Sequence, residues 1–344
     1  MKQRSGSKKV FRIVLIALAS LLALVALVLA GAHLLTPVVY GDFFDGEVAE
    51  FKAAGLGDGL VPQGFAYVEQ HGVYLQCGYM ADGSASRIYV IDERNDHTVH
   101  YVTLLAADGT AYTGHTGGLT AYDDLVWLVN DGEGEDNCVW VLSLSELLSA
   151  PNGGTITLNN KFQPESRAAY CLADGEYLWV GEFYRAEDYP TKASHTFTVA
   201  DGAQQNALVC AYPLDTASEL GIADTTPALL LSVPGQVQGF AMTAGGGFVL
   251  SSSFGLSSSI LRFYSALPAE QQPDATLDVN GASVPVYFLD NDMLIRVVEA
   301  PPMSEEIVVK DGRLFVLFES ACQKYIFGNF MRGRPVYSIP MEQK

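Results

Sequence analysis

The sequence predicts an all-β fold, a five-bladed β-propeller, preceded by one N-terminal transmembrane helix. The helix is indicated by a run of 23 residues, Ile13 to Leu35, interrupted only by Ser20, Gly31 and His33. The propeller is indicated by five repeats of an apolar strand, a turn with Asp or Gly and a second apolar strand. Helical periodicity is nearly absent from the rest of the chain, apart from one turn at 145–150.

The apolar run is long enough to cross the hydrocarbon core of a membrane, at about 1.5 Å per residue. The tail before it is basic and is expected to stay in the cytoplasm. Its basic residues are Lys2, Arg4, Lys8, Lys9 and Arg12. We therefore expect a cytoplasmic tail at 1–12, a single-pass signal-anchor helix at 13–35 in the cell membrane, and an extracytoplasmic remainder.

A cleaved signal peptide is the alternative reading of the same run, because Ala30, Gly31 and Ala32 resemble a cleavage site. The apolar core of a signal peptide usually has about 7 to 15 residues, and this run is longer. No Cys follows the run closely, so a bacterial lipoprotein anchor is not expected. An uncleaved anchor is therefore favoured.

The charge of the chain is divided unevenly between the two sides of the apolar run. Five of the 20 basic residues precede it and all 39 acidic residues follow it, which leaves 15 bases against 39 acids and a formal charge of −24. Such a field repels phosphate backbones and anionic lipids, so nucleic acid is not an expected partner. The acidic charge is also typical of an exported soluble domain. The N-terminal helix is then the expected contact with the membrane.

The cysteines do not form a recognisable metal or redox motif. They are odd in number and widely spaced, with no C-x-x-C pair. They are Cys77, Cys138, Cys171, Cys210 and Cys322. We expect most of them to be buried and to act as small apolar residues, with at most one or two disulfides.

The repeat fixes the expected number of blades. The aligned first-strand positions are Gly64, Gly118, Ala169, Gly239 and Glu306, which are separated by 54, 51, 70 and 67 residues. Each interval leaves room for two further strands, and four antiparallel strands recurring around an axis form a propeller without open sheet edges. Six blades are the alternative, because the two long intervals could contain additional strands.

The outer strands are assigned from short apolar segments between the repeats. Segment 155–158 is expected to be the fourth strand of the second blade, and segment 284–289 that of the fourth blade. The fifth blade takes a late strand at 335–340. Its outermost strand is expected from 48–53, inside the juxtamembrane segment 36–57, so that the propeller at 58–344 closes with strands from both ends of the chain.

Polar side chains recur where the first strand of each blade begins and where the second strand ends. Both places face the same mouth of the channel in a propeller, so these side chains should converge there. The expected ligand-binding residues are Gln63, His115, Asp131, Arg167, Glu182, Gln238, Glu305 and Glu319. Such a ring could bind a small molecule, a glycan or a protein, with His115 and Glu305 as candidate catalytic groups. A polar, water-filled channel is the alternative.

Signatures of a metal site or an activated nucleophile are not found in the sequence. Loop 130–137 is rich in acidic residues and Asn, but it lacks the order of an EF-hand, so calcium is only a weak expectation and no metal ligand is assigned. The chain has no G-x-S-x-G, H-E-x-x-H or P-loop motif. Two insertions on the same face, 185–206 and 320–334, could cover the channel or contact a partner.

The region from Asp58 to Pro340 resembles bacterial exported, membrane-anchored β-propellers of the broad group that includes lactonase-like, gluconolactonase-like and quinoprotein-like folds. The resemblance is carried by Pro62–Ala66, Arg87–Asp92, Val237–Ala241 and Pro302–Glu305. It implies a propeller fold and no particular activity. Calcium-dependent lactonases of this architecture use a Glu with Asn and Asp ligands. Glu305 matches that Glu in kind, whereas Gln63, Ala168 and Gln238 depart from the expected partners.

Two functions are compatible with these observations. The first is a noncatalytic propeller that binds a small ligand or a protein partner at its channel mouth. The second is a hydrolase or lyase that acts on an ester, a lactone or a glycan at the same place. A perturbed pair of carboxylates within hydrogen-bonding reach of His115 would favour the second.

Overall fold

The computed structural model describes residues 4–342, and they form the five-bladed β-propeller that the sequence predicts, preceded by an apolar helix. Residues 1–3 of the expected basic tail lie outside the described residues. The N-terminal elements are helix α1 (Arg4–Val39), the short helix α2 (Gly41–Phe44) and strand β1 (Val48–Lys52). Within α1, residues 8–39 are long and apolar enough to cross a membrane.

The first two blades follow directly. The strands that begin blade 1 are β2 (Leu60–Val68), β3 (Val73–Met80), β4 (Arg87–Asp92) and β5 (Thr98–Leu105). Blade 2 and its connections contain β6 (Gly118–Tyr122), β7 (Leu125–Asn130), β8 (Cys138–Ser143), helix α3 (Leu144–Ser149), β9 (Gly154–Thr157) and β10 (Asn160–Phe162). Ser143 caps α3, because its hydroxyl accepts the backbone N–H of Glu146. This helix coincides with the single helical turn expected at 145–150.

Blades 3 and 4 occupy the two long intervals. The elements from blade 3 are β11 (Ala168–Ala173), β12 (Tyr177–Glu182), the small hairpin β13 (Phe197–Thr198) and β14 (Gln204–Gln205), β15 (Ala207–Pro213) and β16 (Leu229–Val233). The next elements are β17 (Val237–Met242), β18 (Phe248–Ser252), β19 (Ser259–Tyr264), the hairpin β20 (Ala275–Val279) and β21 (Ala282–Phe288), and β22 (Leu294–Ala300). Of these, β17, β18, β19 and β22 form blade 4.

Blade 5 closes the circle with strands from both ends of the chain. It contains β23 (Ser304–Lys310), β24 (Arg313–Phe318), the short helix α4 (Ile326–Asn329) and β25 (Pro335–Pro340). Strand β1 pairs antiparallel with β25, with Val48 opposite Ser338 and Lys52 opposite Pro335. The expected outermost strand from the start of the chain is therefore present.

Two outer strands were assigned to the wrong blade from the sequence. Strand β9, expected in blade 2, instead pairs parallel with β5 as a fifth strand of blade 1. Strand β21, expected in blade 4, pairs parallel with β16 and extends blade 3 to six strands. The fourth strands of blades 2 and 4 are instead β10 and β22. Parallel neighbours need a crossover that local hairpin signals do not indicate, so sequence order misplaced both.

The apolar core lies between neighbouring blades, and glycines let the innermost strands approach one another. A Cβ on Gly64 would lie 2.7 Å from the backbone nitrogen of Leu119 in the next blade. A Cβ on Gly118 would lie 2.8 Å from the Cα of Tyr170, and one on Gly239 would lie 2.8 Å from the Cα of Glu306. The three aligned glycines therefore occupy equivalent places around the axis.

The segment that follows the helix α1 is packed into blades 4 and 5. Phe43 is fully buried, and its ring makes edge contacts with Phe318 and Tyr337 at centroid distances of 5.7 and 5.9 Å. Tyr40 belongs to the same apolar cluster. The five cysteines are also buried, and each is unpaired among the described residues. The chain between helix and propeller is therefore part of the folded core.

Candidate functional site

One mouth of the channel contains a cavity of about 510 Å³, here called the mouth cavity. The structure brings six of the eight expected residues to it: Gln63, His115, Asp131, Gln238, Glu305 and Glu319. Its walls also contain five aromatic side chains that the sequence analysis did not assign to the site: Tyr79, Phe183, Tyr189, Phe254 and Tyr325. The cavity thus combines a polar floor with aromatic walls, and a ligand role for these residues stays a prediction.

Glu305 lies in the floor and is buried. The amide Nε2 of Gln238 is 3.5 Å from its Oε1. Burial raises the pKa of Glu305 well above its usual value, and the neighbouring carboxyl groups of Glu319 and Glu306 raise it further. The neutral form of Glu305 is therefore favoured, and its protonated carboxyl group offers both a donor and an acceptor.

Glu319 is the second carboxyl group of the floor. Burial raises its pKa to about 7, although its hydrogen bonds and nearby Lys324 act in the opposite direction. Gln63 donates from Nε2 to Glu319 Oε1 over 2.9 Å, and the Tyr79 hydroxyl lies 3.4 Å from the same oxygen. Glu319 can therefore gain or lose a proton near neutral pH.

His115 lies open to the cavity, with its ring stacked on Tyr79 at a centroid distance of 5.1 Å. Its pKa is lowered, because the surrounding walls replace bulk water and Lys324 disfavours a second positive charge. The ring remains in contact with solvent. The described side chains form no direct hydrogen bond between His115 and Glu305 or Glu319. The arrangement that would favour catalysis is therefore incomplete.

A single lysine lies on the rim of the cavity. Lys324 Nζ donates to the Tyr79 hydroxyl over 2.7 Å. The same ammonium lies 4.6 Å from the Tyr79 ring centroid and 5.2 Å from that of Tyr325. These contacts hold the cation against aromatic faces at the entrance.

Asp131 and Arg167 form an ion pair at the edge of the cavity. The guanidinium also lies 5.2 Å from the Tyr189 ring centroid. Arg167 and Glu182 line an adjacent pocket rather than the mouth cavity itself. Two of the eight expected residues, Arg167 and Glu182, therefore lie beside the mouth cavity and not in its lining.

Glu182 takes part in a buried charge cluster that the sequence analysis missed. Its carboxylate accepts the backbone N–H groups of Arg167 and Leu208 and lies 2.9 Å from Nδ1 of His195. His195 Nε2 lies 3.1 Å from Glu165 Oε1. The only signal was the position of His195 within the long insertion 185–206, which gave no indication of its partners.

Burial alone would lower the pKa of His195, but its contacts with the two carboxylates reverse the effect and raise it to about 9. The pKa of Glu165 is lowered, because hydrogen bonds from His195 and Lys192 outweigh its burial. The imidazolium is therefore the form that holds this part of the insertion against blade 3.

Glu306 fills the channel axis beneath the mouth cavity. Its Oε1 accepts the backbone N–H of Phe240 over 3.0 Å. Its Oε2 is buried without a hydrogen-bond partner among the described atoms. Burial raises its pKa well above the usual value, so the side chain is neutral. It lies between the mouth cavity and the opposite opening of the channel.

Loop 130–137, for which the sequence gives only a weak expectation of calcium, is closed by contacts within the chain. Asn130 Nδ2 donates to the carbonyl of Asp136, and Gln163 Nε2 donates to that of Gly134. Lys161 Nζ donates to the carbonyl of Glu135. Among residues 4–342, no cluster of three or more His, Cys, Asp or Glu side chains is arranged to hold a metal ion.

Comparisons with known proteins return similarity of structure only. No family model matches the chain, and no curated protein matches it. An aldose sugar dehydrogenase from Streptomyces coelicolor, in its PQQ-bound form, is 12% identical, with 75% of this chain and 74% of that chain covered and a TM-score of 0.42. A gluconolactonase from Xanthomonas campestris is 13% identical, with coverages of 86% and 88% and a TM-score of 0.36.

The similar structures also include proteins whose names indicate no enzymatic activity. BamB from Moraxella catarrhalis is 9% identical, with 75% of this chain and 82% of that chain covered and a TM-score of 0.33. Similarity at this level concerns the fold, and it assigns neither an activity nor a ligand to this chain.

Proposed function

We propose that this protein is a membrane-anchored, extracytoplasmic β-propeller that binds a small, uncharged, hydroxyl-rich ligand of the glycan type in its mouth cavity, without transforming it. The observation that carries the proposal is the combination of five aromatic side chains in the walls with amide and carboxyl groups in the floor. The helix α1 provides the anchor, and residues after it lie outside the cell.

The size and chemistry of the mouth cavity support a small organic ligand. Its volume of about 510 Å³ is within the usual range for ligand pockets. Gln63, Gln238 and protonated Glu305 offer donors and acceptors that match hydroxyl groups. Tyr189 and Phe254 contribute aromatic rings to the walls, and a guanidinium, that of Arg167 or of Arg185, lies over each ring.

The charges of the cavity argue against a strongly charged ligand. Asp131 is neutralised by Arg167, Glu305 is protonated, and Lys324 lies near Glu319 at the rim. An anion would meet the acidic field of the whole domain, whereas a cation would have to compete with Lys324. An uncharged ligand avoids both costs.

Catalysis is the second candidate, and one observation favours it. Glu319 has a pKa of about 7 and lies in the same floor as protonated Glu305, so one carboxyl group could act as acid and the other as base. The substrate would be an ester, a lactone or a glycan. The missing hydrogen bond between His115 and either carboxyl group makes binding the better supported proposal.

The test is a thermal-shift screen of the purified full chain in detergent against mono- and oligosaccharides and lactones, with and without calcium. We expect at least one sugar to raise the melting temperature. Glu305→Gln keeps shape and hydrogen bonding but changes the donor pattern, so it should reduce the shift, and Glu305→Ala should abolish it. Glu69→Gln at the opposite mouth is the control.

Two results would contradict the proposal. If both Glu305 variants keep the full ligand-induced shift, the mouth cavity is not the binding site. If the bound sugar or lactone is recovered as product, and Glu319→Gln stops its conversion while the ligand-induced shift remains, the protein is an enzyme and the second candidate replaces the first.

A further inference from the structure

The helix α1 reaches the propeller on the side of the mouth cavity. Arg332 Nε donates to the carbonyl of His33 over 3.2 Å, and the Tyr40 hydroxyl lies 3.4 Å from Ser258 Oγ. Arg332 and Ser258 both lie in loops that leave the second strand of a blade, on the face where the mouth cavity opens. His33 lies near the end of the predicted span 13–35, so a helix α1 that spans a membrane would hold this face close to the membrane surface.

The rim nearest the helix exposes two large apolar side chains. Phe254 is 37% exposed and Leu256 is 59% exposed, in the same loop as Ser258. Phe254 also forms part of the cavity wall. Exposed apolar side chains are costly in water unless another surface covers them, and the chain leaves α1 beside this loop.

The blade 5 part of this rim has a charge opposite to that of the whole domain. Residues 320–341 contain Lys324, Arg332 and Arg334 and no acidic residue. Acidic residues also lie on this face, in loops 133–136 and 187–188 of blades 2 and 3, at Asp82 in blade 1 and at Glu299 in blade 4, and the segment that follows the helix packs on blades 4 and 5. The opposite mouth has exposed acidic residues at its turns, which are Glu69, Asp123, Asp124, Asp174, Glu176 and Asp311.

We propose that the rim of blades 4 and 5, formed by Phe254, Leu256, Lys324, Arg332 and Arg334, is a membrane-contact surface that holds the mouth cavity open towards the bilayer. The apolar pair enters the headgroup region, and the basic residues attract anionic headgroups although the domain as a whole repels them. The acidic opposite mouth then faces away from the membrane. The proposal rests on α1 spanning the membrane and does not depend on the ligand of the cavity.

The test uses the full chain in lipid vesicles. Leu256→Cys and, as the control at the opposite mouth, Asp311→Cys are labelled with an environment-sensitive fluorophore. All five native cysteines are buried, so the new thiol reacts selectively, and the unsubstituted chain measures the background. We expect spin-labelled lipids to quench the Leu256 label several-fold more than the Asp311 label, and aqueous iodide to show the reverse order.

The charge part of the proposal has its own measurement. Lipid quenching of the Leu256 label should increase when phosphatidylglycerol is added to phosphatidylcholine vesicles, and Arg334→Gln should reduce that increase. Equal quenching at Leu256 and Asp311, no response to phosphatidylglycerol, or removal of the chain from vesicles by alkaline washing would each overturn the proposal. The ligand-induced thermal shift, measured in detergent, reports on the cavity independently.

Discussion

The charge states of a few buried ionisable residues differ from those of the same residues in water. Glu305 and Glu306 are adjacent in sequence and both buried near the axis, and burial raises the pKa of each well above its usual value. They can be accommodated because they are neutral, since two adjacent charged carboxylates without bases would be costly there. His195 is the opposite case, a fully buried base that is charged because two carboxylates contact it.

The charged His195 should make stability depend on pH. Its pKa in the folded chain, about 9, is above the unfolded value of about 6.5, so the stabilisation is complete below the unfolded pKa and is lost as pH rises through about 9. We expect His195→Gln to lower the free energy of unfolding by about 2–3 kcal/mol near pH 6 and by much less above about pH 9. Denaturant melts across this range measure the difference.

The exposed His71 is the matched control for this prediction. His71→Gln makes the same chemical change on the surface and should leave stability nearly unchanged at either pH. If His195→Gln lowers the free energy of unfolding equally at both ends of the pH range, the side chain contributes through its shape rather than through its charge.

At the scale of elements, the first strands of the blades are held close by glycine. The channel has little room at this level, because Glu306 occupies the aligned position of blade 5 and extends across the axis towards Gly118. A Cβ at Gly118 would lie 2.9 Å from Glu306 Oε2 as well as against the backbone of blade 3. The recurrence of glycine in the repeat therefore has a packing cause.

Gly118→Ala should destabilise the propeller by about 1–3 kcal/mol, because the new methyl group has to displace backbone atoms of the neighbouring strand. Gly57→Ala is the control, since nothing lies within 4 Å of a Cβ there. Thermal or chemical melts of the two variants beside the wild type make the comparison. Equal melting temperatures for both variants would show that the strands can separate without cost.

At the scale of the whole molecule, the N-terminal segment joins the helix α1 to the closing blade of the propeller. The chain leaves α1, buries Phe43 between blades 4 and 5, and then supplies β1 to blade 5. The same segment thus fixes the orientation of the propeller relative to the helix and completes its last sheet.

The topology prediction can be tested in cells that express the full chain. With the basic tail inside, everything after about residue 36 should be digested when intact cells are treated with an external protease, while a cytoplasmic marker survives. Survival of the bulk of the chain, under conditions where a surface marker is digested, would contradict it. Recovery of the domain in the medium would instead favour the cleaved signal peptide.

The sequence alone determined the features that depend on local pattern. The apolar run specified α1, and the repeated strand, turn and strand specified five blades, because side-chain alternation and turn residues act between near neighbours. The period also placed Gln63, His115, Gln238 and Glu305 at one mouth, since equivalent positions of a repeat share one face. The closing strand from 48–53 followed from the incomplete last blade.

Only the tertiary structure decided what depends on contacts between distant segments. Strands β9 and β21 join the preceding blades because parallel pairing is set by the path of long connections, which leaves no local signal. Tyr79 and Tyr325 meet at the cavity although 246 positions separate them, and His195 finds Glu165 and Glu182 from an irregular insertion. The aromatic walls and buried charges arise from packing, which the repeat does not encode.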